Sequence, residues 1–151
     1  MSGEIEGVVE LEQTMMAFVR AFGLRQPEQT PCGQPVGVSE AHALTELARG
    51  QGLTQSDLVT KLRLEKSTVS RLVSGLQRRG WTERRAHPSD GRAYSLFLTE
   101  EGERVAGQIA AARREKFESL LRALPETQRP AVIAALSHLV EALHEDQVQI
   151  R

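Results

Sequence analysis

Residues 53–102 read LTQSDLVTKLRLEKSTVSRLVSGLQRRGWTERRAHPSDGRAYSLFLTEEG, and this stretch decides the fold. Thr54 followed by Asp57 is a relative of the capping box, in which side chains satisfy the orphan amides of a first helical turn. Leu58, Val59 and Leu62 give that short helix its buried stripe. After a turn near Arg63 to Glu65, the run from Lys66 to Gly80 carries Val69, Leu72, Val73 and Leu76 at the spacing of one helix face, and Gly80 supplies the stop. At about 100° per residue, Ser67, Arg71, Ser74 and Arg78 line the opposite face, with Lys66 and Ser70 beside it.

Trp81 to Arg85 and Tyr94 to Thr99 then read as two strands, and Pro88-Ser89-Asp90-Gly91 between them is turn chemistry, so the pair forms a hairpin. Arg92 lies at its tip, with Arg84 and Arg85 at its base. The alternation predicts that Trp81 and Tyr94 are core residues of the sheet. Thr99 caps a further helix whose first turn holds Glu100 and Glu101 near the positive end of the dipole. Two short amphipathic helices, a basic hairpin and a third helix start, in unbroken succession, have the order of a winged helix-turn-helix.

Working outward, Val8, Leu11, Met15, Phe18 and Phe22 alternate steps of three and four, a narrow helical seam that needs a partner. Residues 26–37 hold Pro27, Pro31, Pro35, Gly33 and Gly37, so this segment is a connector. Ser39 is the expected start of the next helix, with Ala43, Leu44, Leu47 and Ala48 as its apolar face and Gly50 and Gly52 as its stop. Beyond Glu101, Val105, Ile109, Phe117, Leu120 and Leu121 continue one helix until Pro125. A last helix, starting between Glu126 and Ala131 with Pro130 in its first turn, shows Val132, Leu136, Leu139, Val140 and Leu143. The expected fold is mostly α with a small β-hairpin wing: a single domain over 1–151, a winged-helix region over 38–102, and helical dimerisation regions over 1–25 and 103–151.

The 151 residues carry a formal net charge of −1, but the segment from Lys61 to Arg92 holds nine Lys and Arg against three Asp and Glu. That segment is therefore +6 and the remainder −7. A basic middle with acidic flanks orients a polyanion toward one region. With 40% hydrophobic and 26% charged residues, the chain has no run approaching the roughly 18 apolar residues a membrane span requires. The acidic N-terminus lacks the features of a secretory signal, so a cytoplasmic location is expected. Cys32 is the only cysteine, which leaves no intrachain disulfide and no Cys-rich zinc framework. There is no Gly-rich phosphate loop, no G-x-S-x-G and no metal cluster, so neither an enzyme nor a cofactor is expected.

The wing residues Asp90-Gly91-Arg92, the segment Leu96 to Thr99 with Gly102, and the stretch Leu64 to Val73 with Arg79-Gly80 resemble the multiple-antibiotic-resistance regulator (MarR) family of winged-helix transcription regulators. The resemblance implies a homodimer on a pseudo-palindromic double-stranded DNA operator, repressing nearby genes and released by a small lipophilic or phenolic ligand. It also implies that Ser67, Thr68, Ser70 and Arg71 enter the major groove, that Arg92 reaches the minor groove, and that Asp90 holds a wing arginine without touching DNA.

Physical chemistry supports such roles separately. A guanidinium fork fits the O6 and N7 of guanine, which makes Arg71 the leading base reader. A narrow minor groove concentrates negative potential, which suits Arg92 on a thin hairpin. Lys66, Arg78, Arg84 and Arg85 are expected on phosphates, and Thr54 and Gln55 offer amide contacts at a helix N-terminus. Arg79, in a last helical turn, serves equally as a dipole partner. His42 is the candidate for a ligand pocket. Two alternatives stay open: a non-specific architectural or protein-docking winged helix, and a sensor built on Cys32 or on a metal held by Cys32, Glu40 and His42. Against the sensor, no cation lies near Cys32 in sequence, and His42, His87, His138 and His144 include no i,i+4 pair.

Overall fold

Two glycines in the left-handed region bracket the first helix, α1 (Val8–Phe22): Gly7 at φ 88° and Gly23 at φ 87°. In the computed structural model, which describes residues 5–24, 28–87, 89 and 91–149, α1 buries none of its side chains. Phe18 and Phe22 stack at 5.3 Å between ring centroids along the seam. The connector after α1 is partly packed: Thr30 and Val36 are buried, and the Thr30 hydroxyl accepts the Gln34 N–H at 3.0 Å. Pro27 of the expected connector lies outside the described residues, as does Pro88 of the expected hairpin turn.

Helix α2 (Val38–Arg49) starts one residue earlier than Ser39. Glu40 explains the shift, because its Oε2 accepts the Gly37 N–H at 3.1 Å and so caps the helix from its third position. Ala41, Ala43, Leu44 and Leu47 are buried, whereas Ala48, expected on the apolar face, is exposed. The stripe is centred one position nearer the N-terminus because the neighbouring helices cover that side. A two-residue strand, β1 (Leu53–Thr54), precedes α3 (Gln55–Leu62), and the Thr54 cap is fully reciprocal. The Asp57 N–H donates to Thr54 Oγ1 at 3.1 Å, while the Thr54 N–H and hydroxyl donate to Asp57 Oδ2 at 2.8 and 2.9 Å.

The Thr54 N–H, then its hydroxyl, together with the charges of Lys61 and His87, hold the Asp57 carboxyl below its ordinary value near 3.8. A lowered folded pKa contributes stability that is complete above the ordinary value and is lost as pH falls through the folded one. Asp57→Asn is therefore expected to be less stable than the wild type at neutral pH, with the gap closing as urea titrations are taken below about pH 4. A gap independent of pH would assign the loss to shape rather than charge.

Arg63, at φ 54°, closes α3 in the left-handed region that an arginine rarely adopts, and the chain turns into α4 (Lys66–Arg78). Val69, Val73 and Leu76 of α4 pack with Leu44, Leu47 and Leu58 into one core. Gly80, at φ 72°, ends the helix as expected: the Gly80 N–H bonds Gln77 O at 3.0 Å and the Trp81 N–H bonds Leu76 O at 3.0 Å.

Strands β2 (Thr82–Ala86) and β3 (Tyr94–Leu98) form the hairpin, and β1 pairs with the other edge of β3, giving an antiparallel sheet in the order β1-β3-β2. Its register places Thr54, Ser95 and Arg85 in one row and Leu53, Leu96 and Arg84 in the next. Ser95, Leu96 and Leu98 are buried, but Tyr94 is 56% exposed, contrary to its expected place in the core. β1 ends at Thr54, opposite Ser95, so at Tyr94 only β2 remains alongside and that edge is uncovered. Trp81 is half-buried against the core, nearer to expectation.

Helix α5 (Glu100–Ala123) is capped by Thr99, whose hydroxyl accepts the Gly102 N–H at 3.1 Å and donates to Gly80 O at 2.6 Å. The chain separates into two units, Met1–Ala112 and Arg113–Arg151. In the first, Val105, Ala106 and Ile109 of α5 join the core. In the second, the remainder of α5 leads through a 3₁₀ turn (Glu126–Gln128) to α6 (Arg129–Gln149), with Pro130 in the first turn. Phe117, Leu120, Leu121, Ile133, Leu136, Val140 and Leu143 of this unit are all exposed.

Candidate nucleic-acid interface

Helix α4 separates its two chemistries sharply. With Val69, Val73 and Leu76 turned into the core, the 3.6-residue period leaves Lys66, Ser67, Ser70, Arg71 and Arg78 exposed, with Thr68 and Ser74 half-buried at the margins. Helix α3 offers Thr54 and Gln55 half-buried at its start. Thr54 uses its hydroxyl in the cap, so the cap itself orders that helix end.

On the hairpin, Arg84, Arg85 and Arg92 are all exposed, while Asp90 lies outside the described residues. Arg85 is held on the sheet: its Nε donates to Glu83 Oε1 at 2.7 Å, and its guanidinium lies 4.3 Å from the ring centroid of Phe97. Gly52 allows Phe97 to approach, since a Cβ there would sit 3.2 Å from its ring. A guanidinium stacked on a ring and paired with a carboxylate is ordered before any partner arrives, and it still has donors to spare. Lys61, another cation of the basic segment, pairs with Glu46 at 3.5 Å.

Arg79 behaves differently from its neighbour Arg78. Its Nη1 lies 3.4 Å from Glu40 Oε2, and its guanidinium stacks 4.7 Å from the Trp81 ring. It also lines two clefts. One, of about 390 Å³, is formed with Gln34, Pro35, Val36, Trp81, Arg104, Val105, Gln108 and Ile109. The other, of about 740 Å³, is formed with Leu24, Glu28, Pro35, Gly37, Val38, Ser39 and Glu40. Sequence reasoning missed both, because the walls of the larger come from the connector, the start of α2 and Arg79, and those of the smaller from the connector, Arg79, Trp81 and α5, which meet only in the fold. His42 is exposed on α2 and lines neither. Cys32 is exposed only at its margin, with its Sγ 3.1 Å from Thr30 Oγ1, and no group of three or more potential ligands for a metal occurs among the described residues.

Comparison with known proteins agrees with this geometry. Residues 35–93 match the model of the MarR family. An uncharacterised HTH-type transcriptional regulator of Mycobacterium leprae is 26% identical over 136 residues, 90% of this chain and 92% of its own. Among solved structures, the PcaV transcriptional regulator from Streptomyces coelicolor in complex with its natural ligand superposes with a TM-score of 0.71 at 21% identity, covering 95% of this chain and 99% of that one. The transcriptional repressor CouR, bound to a 23-mer DNA duplex, superposes with a TM-score of 0.69 at 19% identity over 93% of this chain and 99% of its own. The helix-turn-helix and the wing thus lie in the segment similar to the MarR family of winged helix-turn-helix transcription regulators, and the fold of the chain is that of the regulators on which it superposes.

Proposed function

We propose that two copies of this chain bind a pseudo-palindromic operator, repress the adjacent genes and release the DNA when a small lipophilic or phenolic molecule binds. The observation that carries the reading is α4, which offers serines and arginines on one face and buries the other. In the dimer, Arg71 with Ser67, Thr68 and Ser70 reads major-groove edges, and Arg92 enters the minor groove. Lys66, Arg78, Arg84 and Arg85 meet phosphates, as do the amides at Thr54 and Gln55, and Asp90 holds a wing arginine.

Support for the second copy comes from the exposed apolar residues of α1, among them Leu11, Met16 and Phe18, and from those of the Arg113–Arg151 unit. Left in water they are a liability, and a two-fold partner offers the same surface in return. Dimerisation also gives two recognition helices a common duplex, one helical turn apart. The two clefts beside Arg79 are the better place for a ligand than His42, which lines neither; a body packed on Trp81, Val105 and Ile109 would find polar anchors in Gln34, Gln108 and Arg104. No helix is long and apolar enough to cross a membrane among the described residues. We assign the chain a cytoplasmic, non-catalytic role, working where the chromosome is.

Gel-shift titrations on genomic fragments at two salt concentrations test this reading. Selective retention of a few fragments, by a species that sedimentation shows to be dimeric, is the expected result. Uniform binding that collapses steeply with salt would instead favour an architectural role.

A further inference from the structure

One carboxylate, Glu40, ties together three elements that must keep a fixed geometry for α4 to read DNA. Its Oε2 accepts the Gly37 N–H at 3.1 Å, anchoring it to the first turn of α2, and lies 3.4 Å from Arg79 Nη1 at the end of α4. Its Oε1 lies near Gly75, at ordinary contact distance (3.7 Å) from where a Cβ would stand. Arg79 in turn stacks 4.7 Å from the Trp81 ring. Trp81 starts the hairpin, its carbonyl accepting the Thr99 N–H at 3.0 Å and its own N–H bonding Leu76 O. The Glu40 side chain is 20% exposed and that of Arg79 43%, so the pair is shielded from water on the carboxylate side.

We infer that Glu40 and Arg79 are positioning residues for DNA binding: the ion pair and the stacking on Trp81 fix the end of α4 against both α2 and the hairpin, so that the base-reading face and the wing engage one duplex together. The inference rests on the DNA-reading role proposed above for α4. It assigns Arg79 a role unlike that of Arg78, although the two are adjacent and carry the same charge. A planar guanidinium meets both demands, a carboxylate at its edge and a ring against its face, which an ammonium cannot do.

The test uses the full chain and a labelled duplex enriched by the wild-type protein from a randomised library, with anisotropy titrations over a range of salt. Glu40→Gln keeps an acceptor for the Gly37 N–H but loses the charge, and Arg79→Lys keeps the charge but loses the fork and the stacking. Each is expected to lower affinity about tenfold with an unchanged slope of log K against log salt, because no phosphate contact is removed. The double variant is expected to fall no further than the weaker single one, as for two members of one network. Thermal melting run in parallel separates positioning from unfolding, and Arg79→Lys serves if Glu40→Gln fails to fold.

Three results would overturn the inference. Unchanged affinity in both variants, whatever the melting temperature, would reduce the pair to a stabilising contact. Additive losses would deny the coupling. Higher affinity in Glu40→Gln, with Arg79→Gln lowering the salt slope by about one, would make Arg79 a phosphate contact that Glu40 opposes. A wild-type protein that enriches no sequence from the library would fail the functional reading itself, and the inference would fall with it.

Discussion

Gly102→Ala is expected to lose about 3 kcal/mol or more of folding stability, measured as a fall in urea midpoint at unchanged slope. The reason is distance rather than backbone angle. Gly102 lies in the first turn of α5, and a Cβ there would stand 1.9 Å from the Trp81 carbonyl oxygen and 2.8 Å from its carbonyl carbon. Both are backbone atoms, so no rotamer change relieves the clash. The helix and the start of the hairpin would have to separate, and with them the Thr99 bonds to Gly80 O and to the Gly102 N–H. Gly107, on an exposed face of the same helix with nothing within 4 Å of its would-be Cβ, is the control. Gly107→Ala is expected to stabilise the protein by about 0.5–1 kcal/mol through helix propensity alone. Equal effects at the two positions would refute the contact argument.

Arg71→Ala is expected to abolish preference at one base pair in each half-site, a loss of about 1–3 kcal/mol of discrimination, while preference elsewhere in the operator persists. Arg71 is exposed on the face of α4 opposite Val69, Val73 and Leu76, in a helix whose length and end are fixed by Gly80 and by the core. Its removal exposes no buried surface, so melting should change little. Selection from a randomised operator library by both proteins measures the effect position by position. Identical base preferences would show that Arg71 touches backbone only. A comparable substitution at Arg78 should weaken binding to all sequences alike and flatten the salt dependence, which separates base reading from phosphate contact on one helix face.

Much of the architecture is legible in the sequence because local chemistry and burial agree. Thr54 with Asp57, Gly80 and Thr99 each mark a helix terminus by satisfying amides or carbonyls that have no helical partner, and all three act in the structure as the spacing predicts. The start of α2 differs by one residue because Ser39 looks like a cap, while the working cap is a side chain three residues beyond Gly37. The strand β1 has no signal in the sequence: two residues carry no periodicity, and only the free edge of β3 makes them a strand. Arg63 gives no warning either, since nothing in an arginine announces a left-handed turn that the packing of α3 on α4 imposes.

The polar face of α4 is visible in outline for the same reason that the core is. A helix that buries every third or fourth residue must expose the others, so the exposure of Ser67, Ser70, Arg71 and Arg78 comes from the positions of Val69, Val73 and Leu76. What periodicity does not carry is the division of labour among identical side chains. Arg78 and Arg79 are neighbours in sequence, yet Arg79 is paired and stacked with Glu40 and Trp81, residues that lie beyond its own helix. Arg84 and Arg85 diverge likewise, because alternate strand residues face opposite sides and only Arg85 meets Phe97.

By itself, then, the order of residues set the kinds of elements, their ends and the polarity of each face, since these depend on neighbours within one or two helical turns. Tertiary structure decided which arginines are paired and stacked within the protein, as Arg79 and Arg85 are. It decided why Gly102 admits no side chain, and where the connector meets α2, α5 and Arg79 to form the clefts. Those properties depend on distances between segments tens of residues apart, and such distances exist only once the core around Leu44, Leu58 and Leu76 has closed.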